Sequence, residues 1–286
     1  MTQSSRRVFL GLTAAGIAGG LGFSDARGQS GGLLERARRD KVIKIGIVNQ
    51  PPDSELKPDG TIDGASAVIV RQIMEKLGIP KVEALTATYG QLIPGLQAGR
   101  WDMIGASLVI TKERCTQVRY ADPIIFGFAA FGYVKADMPA PPPTIKELGA
   151  MDVKIGLVTG ANYIPFVQKA MKDPSKLIQY PDDAALAEGL LSKRHQVTMG
   201  AAAAVKDMQA KRNHAFDIVY PVTDTPNIGS GPAFRTADTD LFEPYQAELR
   251  KMLSSGEIKK IVESYGLEGP TPGKHVTNDQ ACAEAI

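Results

Sequence analysis

The chain has 286 residues, of which 43% are hydrophobic and 22% charged, and its 33 basic and 31 acidic residues give a net charge of +2. This composition is typical of a globular protein, and the near balance of charge argues against a nucleic-acid-binding protein, which is usually strongly basic. The three histidines and two cysteines share no metal-ligand spacing. We therefore expect no nucleic-acid partner, no metal site and no cofactor.

The N-terminus predicts a cleaved export signal. Arg6 and Arg7 precede an uncharged apolar run over residues 8–23, which is too short and too weakly apolar to favour a membrane span. Paired arginines at this place are typical of the twin-arginine route. Removal of residues 1–28 takes away three of the 33 basic and one of the 31 acidic residues, which leaves 30 of each. The alternative is an amphipathic N-terminus that stays attached.

Alternating strands and helices are predicted along the first part of the mature chain. β-Branched and apolar runs bounded by turn residues predict the strands, and apolar residues at helical spacing predict the helices. The predicted elements in chain order are a helix at 33–39, a strand at 44–48, a helix at 68–77, a strand at 81–85, a helix at 89–99 and a strand at 103–106. Such an order predicts a mainly parallel sheet with helices on both faces.

The same alternation begins again after a proline-rich connector at residues 139–143. The predicted elements are strands at 154–158, 177–180 and 218–220 and helices at 162–171 and 182–194, the latter capped by Asp182. A single long helix is predicted over residues 241–265, and we expect it to return to the first unit. The tail after Gly266 is predicted to be irregular, and the alanine run at 201–204 to be helix interior.

The two cysteines, Cys115 and Cys282, form an even pair in a chain that we expect to be exported. In an oxidising compartment such a pair favours a disulfide. A bridge between them would close a very long loop and hold the C-terminal tail, which in the chain-entropy model stabilises by about 4–5 kcal/mol. Two free thiols are the alternative.

Catalytic motifs are absent from the sequence. There is no Walker A loop, no glycine-rich dinucleotide turn and no nucleophile elbow around Ser230. This favours a protein that is not an enzyme, although a carboxylate and a lysine can act without a motif.

One stretch is more specific than these patterns. It consists of Tyr89-Gly-Gln-Leu-Ile-Pro-Gly-Leu-Gln-Ala-Gly-Arg-Trp-Asp-Met-Ile, then Ser107-Leu-Val-Ile-Thr-Lys-Glu-Arg-Cys115, then Tyr120-Ala-Asp-Pro123. It resembles the signature of the family 3 extracellular solute-binding proteins, the receptors of polar amino-acid ABC importers. Asn49-Gln-Pro-Pro52, Gly231-Pro-Ala-Phe-Arg235 and the late Cys282 are most similar to the ectoine/hydroxyectoine-binding branch.

The resemblance implies a two-lobe periplasmic binding protein fold of type II, with two hinge crossings near Gly127 and Gly231. Lobe 1 would comprise residues 29–127 plus 232–286, and lobe 2 residues 128–231. It implies a periplasmic monomer that captures a small carboxylate-bearing solute by hinge closure and delivers it to a membrane permease.

The resemblance also implies the ligand-binding residues. Arg114 would bind the solute carboxylate through the N–H donors of its planar guanidinium, or else form an ion pair with Glu113 or Asp122. Ser107 and the amide of Val109 would bind the same carboxylate; for Ser107 the alternative is a bond to local backbone.

Tyr89 would offer an aromatic face to the solute, or else only pack on its lobe. Gln50 and Asp53 lie beyond the end of the first strand, where Asp53 could receive a cation or be only a turn residue. Gly160, Ala161 and Asn162 would open a helix whose free amides face an anion, with Asn162 as N-cap the alternative. Trp101 is interpreted as structural.

The sequence departs from the family at the positions that hold cationic groups. The residues that correspond to the usual acids of lobe 2 are Gln196 and Ala201, which are neutral. In the ectoine branch an acid and two aromatic rings would stand where this chain has Gln50, Asp53 and Val109. These differences predict a carboxylate compound, with or without a cationic group, other than ectoine.

Two other functions remain open on the same scaffold. One is a periplasmic dehydratase of cyclic acids, which would need a general acid in the cleft; we find no compelling acid in the cleft-facing stretches of lobe 2, but Glu and Asp side chains elsewhere could reach it. The other is a ligand sensor that docks on a receptor.

Overall fold

The computed structural model describes residues 32–225, 229–273 and 276–285. The predicted export signal, residues 1–28, lies outside the described residues and stays a prediction. None of the described helices is both long and apolar enough to cross a lipid bilayer.

Strands in the described chain form two larger sheets and one hairpin. They are β1 Val42–Ile47, β2 Glu55–Leu56, β3 Ile62–Asp63, β4 Lys81–Thr86, β5 Met103–Val109, β6 Arg119–Tyr120, β7 Ala129–Tyr133, β8 Ile155–Val158, β9 Leu177–Tyr180, β10 Val197–Ala201, β11 Asp217–Val219 and β12 Ser230–Phe234. The first sheet has the order β4-β1-β5-β12-β6 and the second has the order β11-β7-β10-β8-β9, while β2 and β3 pair as a hairpin.

Each larger sheet combines a parallel core with antiparallel strands. β1 runs parallel to β4 and β5, and β8 runs parallel to β9 and β10, which confirms the predicted βαβ units. β12 is antiparallel to β5 and β6, and β7 is antiparallel to β10 and β11. The antiparallel strands flank the segments in which the chain passes from one sheet to the other.

Helices cover the faces of both sheets. They are α1 Leu33–Asp40, α2 Ala65–Lys76, α3 Tyr89–Gln97, α4 Lys112–Cys115, α5 Ile145–Gly149, α6 Ile164–Ala170, α7 Asp183–Leu191, α8 Ala202–Ala210, α9 Thr239–Ser255, α10 Glu257–Ser264 and α11 Asn278–Glu284. The sheets of mixed direction, flanked by helices, confirm the predicted α/β class.

Two crossing segments join the sheets, and they pair with each other. The chain leaves the first sheet after β6 and enters the second at β7, and it returns between β11 and β12. The amide nitrogens of Ile124 and Ile125 lie 2.9 and 3.3 Å from the carbonyl oxygen of Ser230. β12 begins at Ser230, two residues before the predicted start of the second part of lobe 1. The predicted lobe boundaries at residues 127/128 and 231/232 remain predictions.

The core of the first lobe is organised around Trp101. Its side chain is 3% exposed, and its indole N–H donates to the carbonyl of Leu92 at 3.1 Å. A Cβ atom added to Gly95 would lie 2.1 Å from the indole ring, so the ring packs directly on the backbone of α3. These contacts agree with the structural role expected of Trp101. Side chains of α9 and α10 belong to the same core, as expected for a segment that returns to the first unit.

The C-terminal region differs from its prediction in two ways. The single helix predicted over 241–265 is two helices, because Gly256 has a φ of +80°, a left-handed conformation that ends α9. The tail predicted to be irregular contains α11, whose first turn is stabilised by reciprocal bonds between Thr277 and Gln280. Side chains of this tail pack on the first core, a contact that local sequence does not reveal.

Candidate ligand-binding cleft

A cavity lies where the carboxyl ends of parallel strands from the two sheets face each other. It holds about 740 Å³, part of it open to solvent. Seven of the eight predicted ligand-binding residues line it: Gln50, Asp53, Tyr89, Ser107, Val109, Arg114 and Asn162. The eighth, Gly160, contacts the side chain of Arg114. Residues distant in sequence thus converge on one cleft, at the edge where ligands bind in open α/β sheets.

Arg114 extends from α4 across the mouth of the cleft. The short helix begins after Thr111, whose side-chain oxygen accepts a hydrogen bond from the Arg114 amide at 3.2 Å. The Arg114 guanidinium donates from Nη1 to the carbonyl of Val109 at 3.0 Å and from Nη2 to the carbonyl of Gly160 at 3.1 Å. It therefore touches both lobes and forms these bonds with neutral oxygens.

The alternative reading of Arg114 as an ion-pair residue does not hold among the described residues. Asp122 instead pairs with Arg250, with 2.9 Å between Asp122 Oδ2 and Arg250 Nε, and it also accepts from the amide of Asn278. Glu113 is exposed and makes no described ion pair with the guanidinium. The positive charge of Arg114 thus remains without a described counter-charge in contact.

Gly160 brings the second lobe against the first. Its φ of +76° lies in the left-handed region, and a Cβ added there would lie 2.4 Å from the backbone nitrogen of Gly90. Only glycine fits this approach without movement of the backbone. The helix predicted to open at Asn162 begins at Ile164, and the Ala161 amide donates to the carbonyl of Val158 and is not free. That Gly160 and Asn162 bind an anion stays a prediction.

Tyr89 connects the aromatic part of the cleft with Gln50. It is the first residue of α3, and its hydroxyl donates a hydrogen bond to the side-chain oxygen of Gln50. The ring also packs against apolar cores of both lobes, so the packing and cleft-lining roles coexist. Burial, together with the nearby charges of Asp53 and Asp183, raises the pKa of the Tyr89 hydroxyl well above its usual range and keeps it protonated.

Asp53 is a buried acid of the first lobe, with 9% of its surface exposed. One carboxylate oxygen, Oδ2, accepts from the amide of Ser107 at 3.1 Å, and the other, Oδ1, is buried without a hydrogen-bond partner among the described residues. The Ser107 hydroxyl is also buried without a hydrogen-bond partner within the described chain. The alternative of a bond between this hydroxyl and local backbone therefore does not hold. Burial raises the pKa of Asp53, although the Ser107 amide bond and the nearby Ser107 side chain oppose the rise.

Asp183 is a cleft acid that the sequence analysis missed. It lies in the first turn of α7, directly after the capping residue Asp182, and it lines the cavity from the second lobe. Its carboxylate takes a hydrogen bond from the side chain of Gln50, but Oδ2 is buried without a partner among the described residues. Asp183 is an acid from outside the stretches that the sequence analysis took to face the cleft, an alternative that the sequence left open. The pair Asp182-Asp183 was the available signal, because one capping acid is enough for a helix.

Burial raises the pKa of Asp183 to about 6. The hydrogen bond with Gln50 and the charge of Lys211 lower this pKa, whereas the charges of Asp182 and Asp207 raise it further. Ionised Asp183 therefore destabilises the folded protein above pH 6, and this effect disappears below the ordinary value of 3.8. After allowance for the favourable field of the helix N-terminus, we expect Asp183→Asn to stabilise the solute-free protein by about 1–2 kcal/mol well above pH 6. Urea unfolding of the wild type and the variant, below pH 3.8 and well above pH 6, measures this difference in stability. Equal differences at the two pH values would contradict the raised pKa of Asp183.

The two neutral positions noted in the sequence, Gln196 and Ala201, have different roles in the structure. The side-chain oxygen of Gln196 accepts from the amide of Lys154 at 2.8 Å, a bond that joins neighbouring strands. Ala201 ends β10 and lines the cleft with Ala203 and Ala204, so the alanine run is a strand–helix junction rather than helix interior. The bridge expected between Cys115 and Cys282 is present and joins α4 to α11.

The comparisons with known proteins agree with this architecture. The family model of the bacterial extracellular solute-binding proteins, family 3, matches residues 43–268. A probable amino-acid ABC transporter periplasmic-binding protein, y4tE of Sinorhizobium fredii, is 27% identical over 82% of this chain and 79% of its own length. The L-arginine-binding protein of Pseudomonas aeruginosa is 23% identical over 79% of this chain and 88% of its own length.

Among solved structures, EhuB in complex with hydroxyectoine superposes with a TM-score of 0.83 at 31% identity, over 88% of this chain and 98% of that chain. The family match spans most of the sequence, and the superposition includes both lobes. The chain therefore belongs to the family 3 bacterial extracellular solute-binding proteins.

Proposed function

We propose that this chain is the periplasmic, monomeric binding component of an ABC importer, and that it captures a small solute through the solute's carboxylate. The observation that carries the proposal is the Arg114 guanidinium, which lines the cleft, bonds to a carbonyl of each lobe and contacts no described counter-charge. A bidentate carboxylate is the chemical partner that this fork of donors matches best. Because Arg114 reaches both lobes, solute binding and lobe closure would be coupled.

The experiment is a thermal-shift screen of zwitterions, compatible solutes and organic acids, followed by calorimetry with each best ligand and its carboxamide. We expect the carboxylate to bind and the carboxamide to bind about tenfold to hundredfold more weakly, since it lacks the charge that Arg114 pairs with. Equal affinities would overturn the proposal. Chemical conversion of a bound cyclic acid would instead favour the dehydratase, for which Asp183 supplies a cleft acid with a pKa of about 6.

A further inference from the structure

Two carboxylates enter the cleft from opposite lobes. Asp53 follows β1 in the first lobe and Asp183 opens α7 in the second. Each acid holds one buried oxygen without a hydrogen-bond partner in the described part of the chain. A buried carboxylate oxygen with no donor is costly, and a ligand that supplies donors removes the cost.

The two acids face the same part of the cavity. Gln50 accepts from the Tyr89 hydroxyl and donates to Asp183, so these three side chains form one chain of contacts. The charges of Asp53 and Asp183 both act on the Tyr89 hydroxyl, which places both acids near that ring. The aromatic ring and the two carboxylates thus form one corner of the cleft.

The charges that line the cleft are unbalanced. The described charged residues of its wall are Arg114, Asp53 and Asp183. With both acids ionised their charges sum to minus one, and after Arg114 takes a solute carboxylate both acids still need positive partners. Buried charges are stable only when they are paired. A solute with one carboxylate and a net positive charge satisfies all three groups.

We infer that Asp53 and Asp183 together receive the cationic part of the solute, and that Asp183 makes the cleft selective for net-cationic carboxylates over neutral zwitterions. This inference rests on the proposed carboxylate-binding role of Arg114. Asp183 acts from the start of α7, whereas the strand-end position Ala201 of the same lobe carries no charge.

Matched probes separate charge from shape. Arginine and citrulline differ by a guanidinium against a neutral ureido group of similar size, and lysine and 2-aminoheptanoic acid differ by an ammonium against a methyl group. Calorimetry well above pH 6, where Asp183 is ionised, is expected to show that each cationic member binds about tenfold to hundredfold more tightly than its neutral partner.

Asp183→Asn keeps the size and shape of the side chain, removes its charge and replaces one accepting oxygen by a donating NH2 group. We expect it to weaken the cationic probes by about tenfold or more and the neutral probes by much less, so that the selectivity ratio falls. The matched control is Glu188→Gln, an exposed acid on the same helix that does not line the cleft, and it should leave the ratio unchanged. A thermal melt of each variant establishes that it is folded.

Three results would overturn the inference: neutral probes that bind as tightly as cationic ones, no binding of either cationic probe at millimolar concentration, or an Asp183→Asn variant with the wild-type ratio. The comparison of each carboxylate with its carboxamide tests the role of Arg114, and its outcome does not depend on these three results. If carboxylates outbind their amides but charge selectivity is absent, the proposed function stands and the role of Asp183 is wrong.

Discussion

Replacement of Arg114 by alanine is expected to reduce solute affinity by about a hundredfold or more while the protein stays folded. Loss of one member of a buried, charge-assisted pair costs about 2–5 kcal/mol, because the ligand carboxylate then enters the cleft without a partner. The variant also loses the bonds to Val109 and Gly160, so the lobes lose one of their contacts across the cleft. Calorimetric titration of both proteins with the best carboxylate ligand measures the effect.

Arg114→Lys is the matched control for this prediction. Lysine keeps the positive charge but lacks the planar fork, so we expect an intermediate affinity, weaker than wild type and stronger than alanine. Thermal melts without solute should differ little among the three proteins, because the guanidinium is half-buried and its bonds in the described chain are with uncharged groups, the carbonyls of Val109 and Gly160 and the side chain of Tyr120. An alanine variant that retains wild-type affinity would remove Arg114 from the binding site.

Loss of the Cys115–Cys282 bridge is expected to destabilise the protein by about 2–5 kcal/mol. The two cysteines are 167 positions apart, and the chain-entropy model assigns about 5 kcal/mol to the closure of so long a loop, an upper figure because unfolded chains retain structure. The bridge fastens α11 to α4, and α11 has only seven residues, too few to be stable in isolation. Urea unfolding of the Cys115→Ser, Cys282→Ser double variant measures the change.

The same variant separates stability from binding. Arg114 precedes Cys115, but α4 keeps its Thr111 cap and the guanidinium keeps its bonds to Val109 and Gly160. We therefore expect solute affinity to change by less than about threefold, well below the cost of losing a charged contact. Wild-type protein unfolded with and without a reductant provides the matched comparison. An unchanged unfolding midpoint would show that the tail is held without the bridge.

Asp183 is expected to affect both the stability of the protein and the binding of the solute. Its ionised carboxylate lowers the stability of the solute-free protein, yet that charge is what we expect to select a cationic solute. Functional sites often hold groups that destabilise the fold, because binding needs exposed or unpaired charge. We therefore expect Asp183→Asn to raise stability and to weaken cation binding, because the same ionised carboxylate is responsible for both effects.

Local sequence was sufficient to predict the parallel core of the first sheet and two of the three parallel strands of the second, β8 and β9. The apolar run of β1 and the helical spacing of α2 are readable because burial on one or both faces dictates their residue types. Strands β7 and β10 were not predicted, because their glycines and alanines have no strong local preference and become strands only by pairing with each other. The break at Gly256 was missed for a related reason: glycine is tolerated within a helical pattern until packing decides its conformation.

The sequence by itself determined the α/β class, the family resemblance and seven residues that line the cleft. Only the tertiary structure decided that Asp183 and Asp53 line the same cavity, that Arg114 reaches Gly160, and that the tail folds as α11. The physical reason is distance along the chain. A residue pattern reports the burial of its own element, whereas two carboxylates more than a hundred positions apart come to line one cavity only after both sheets have formed and the crossing segments have brought the carboxyl ends of their strands together.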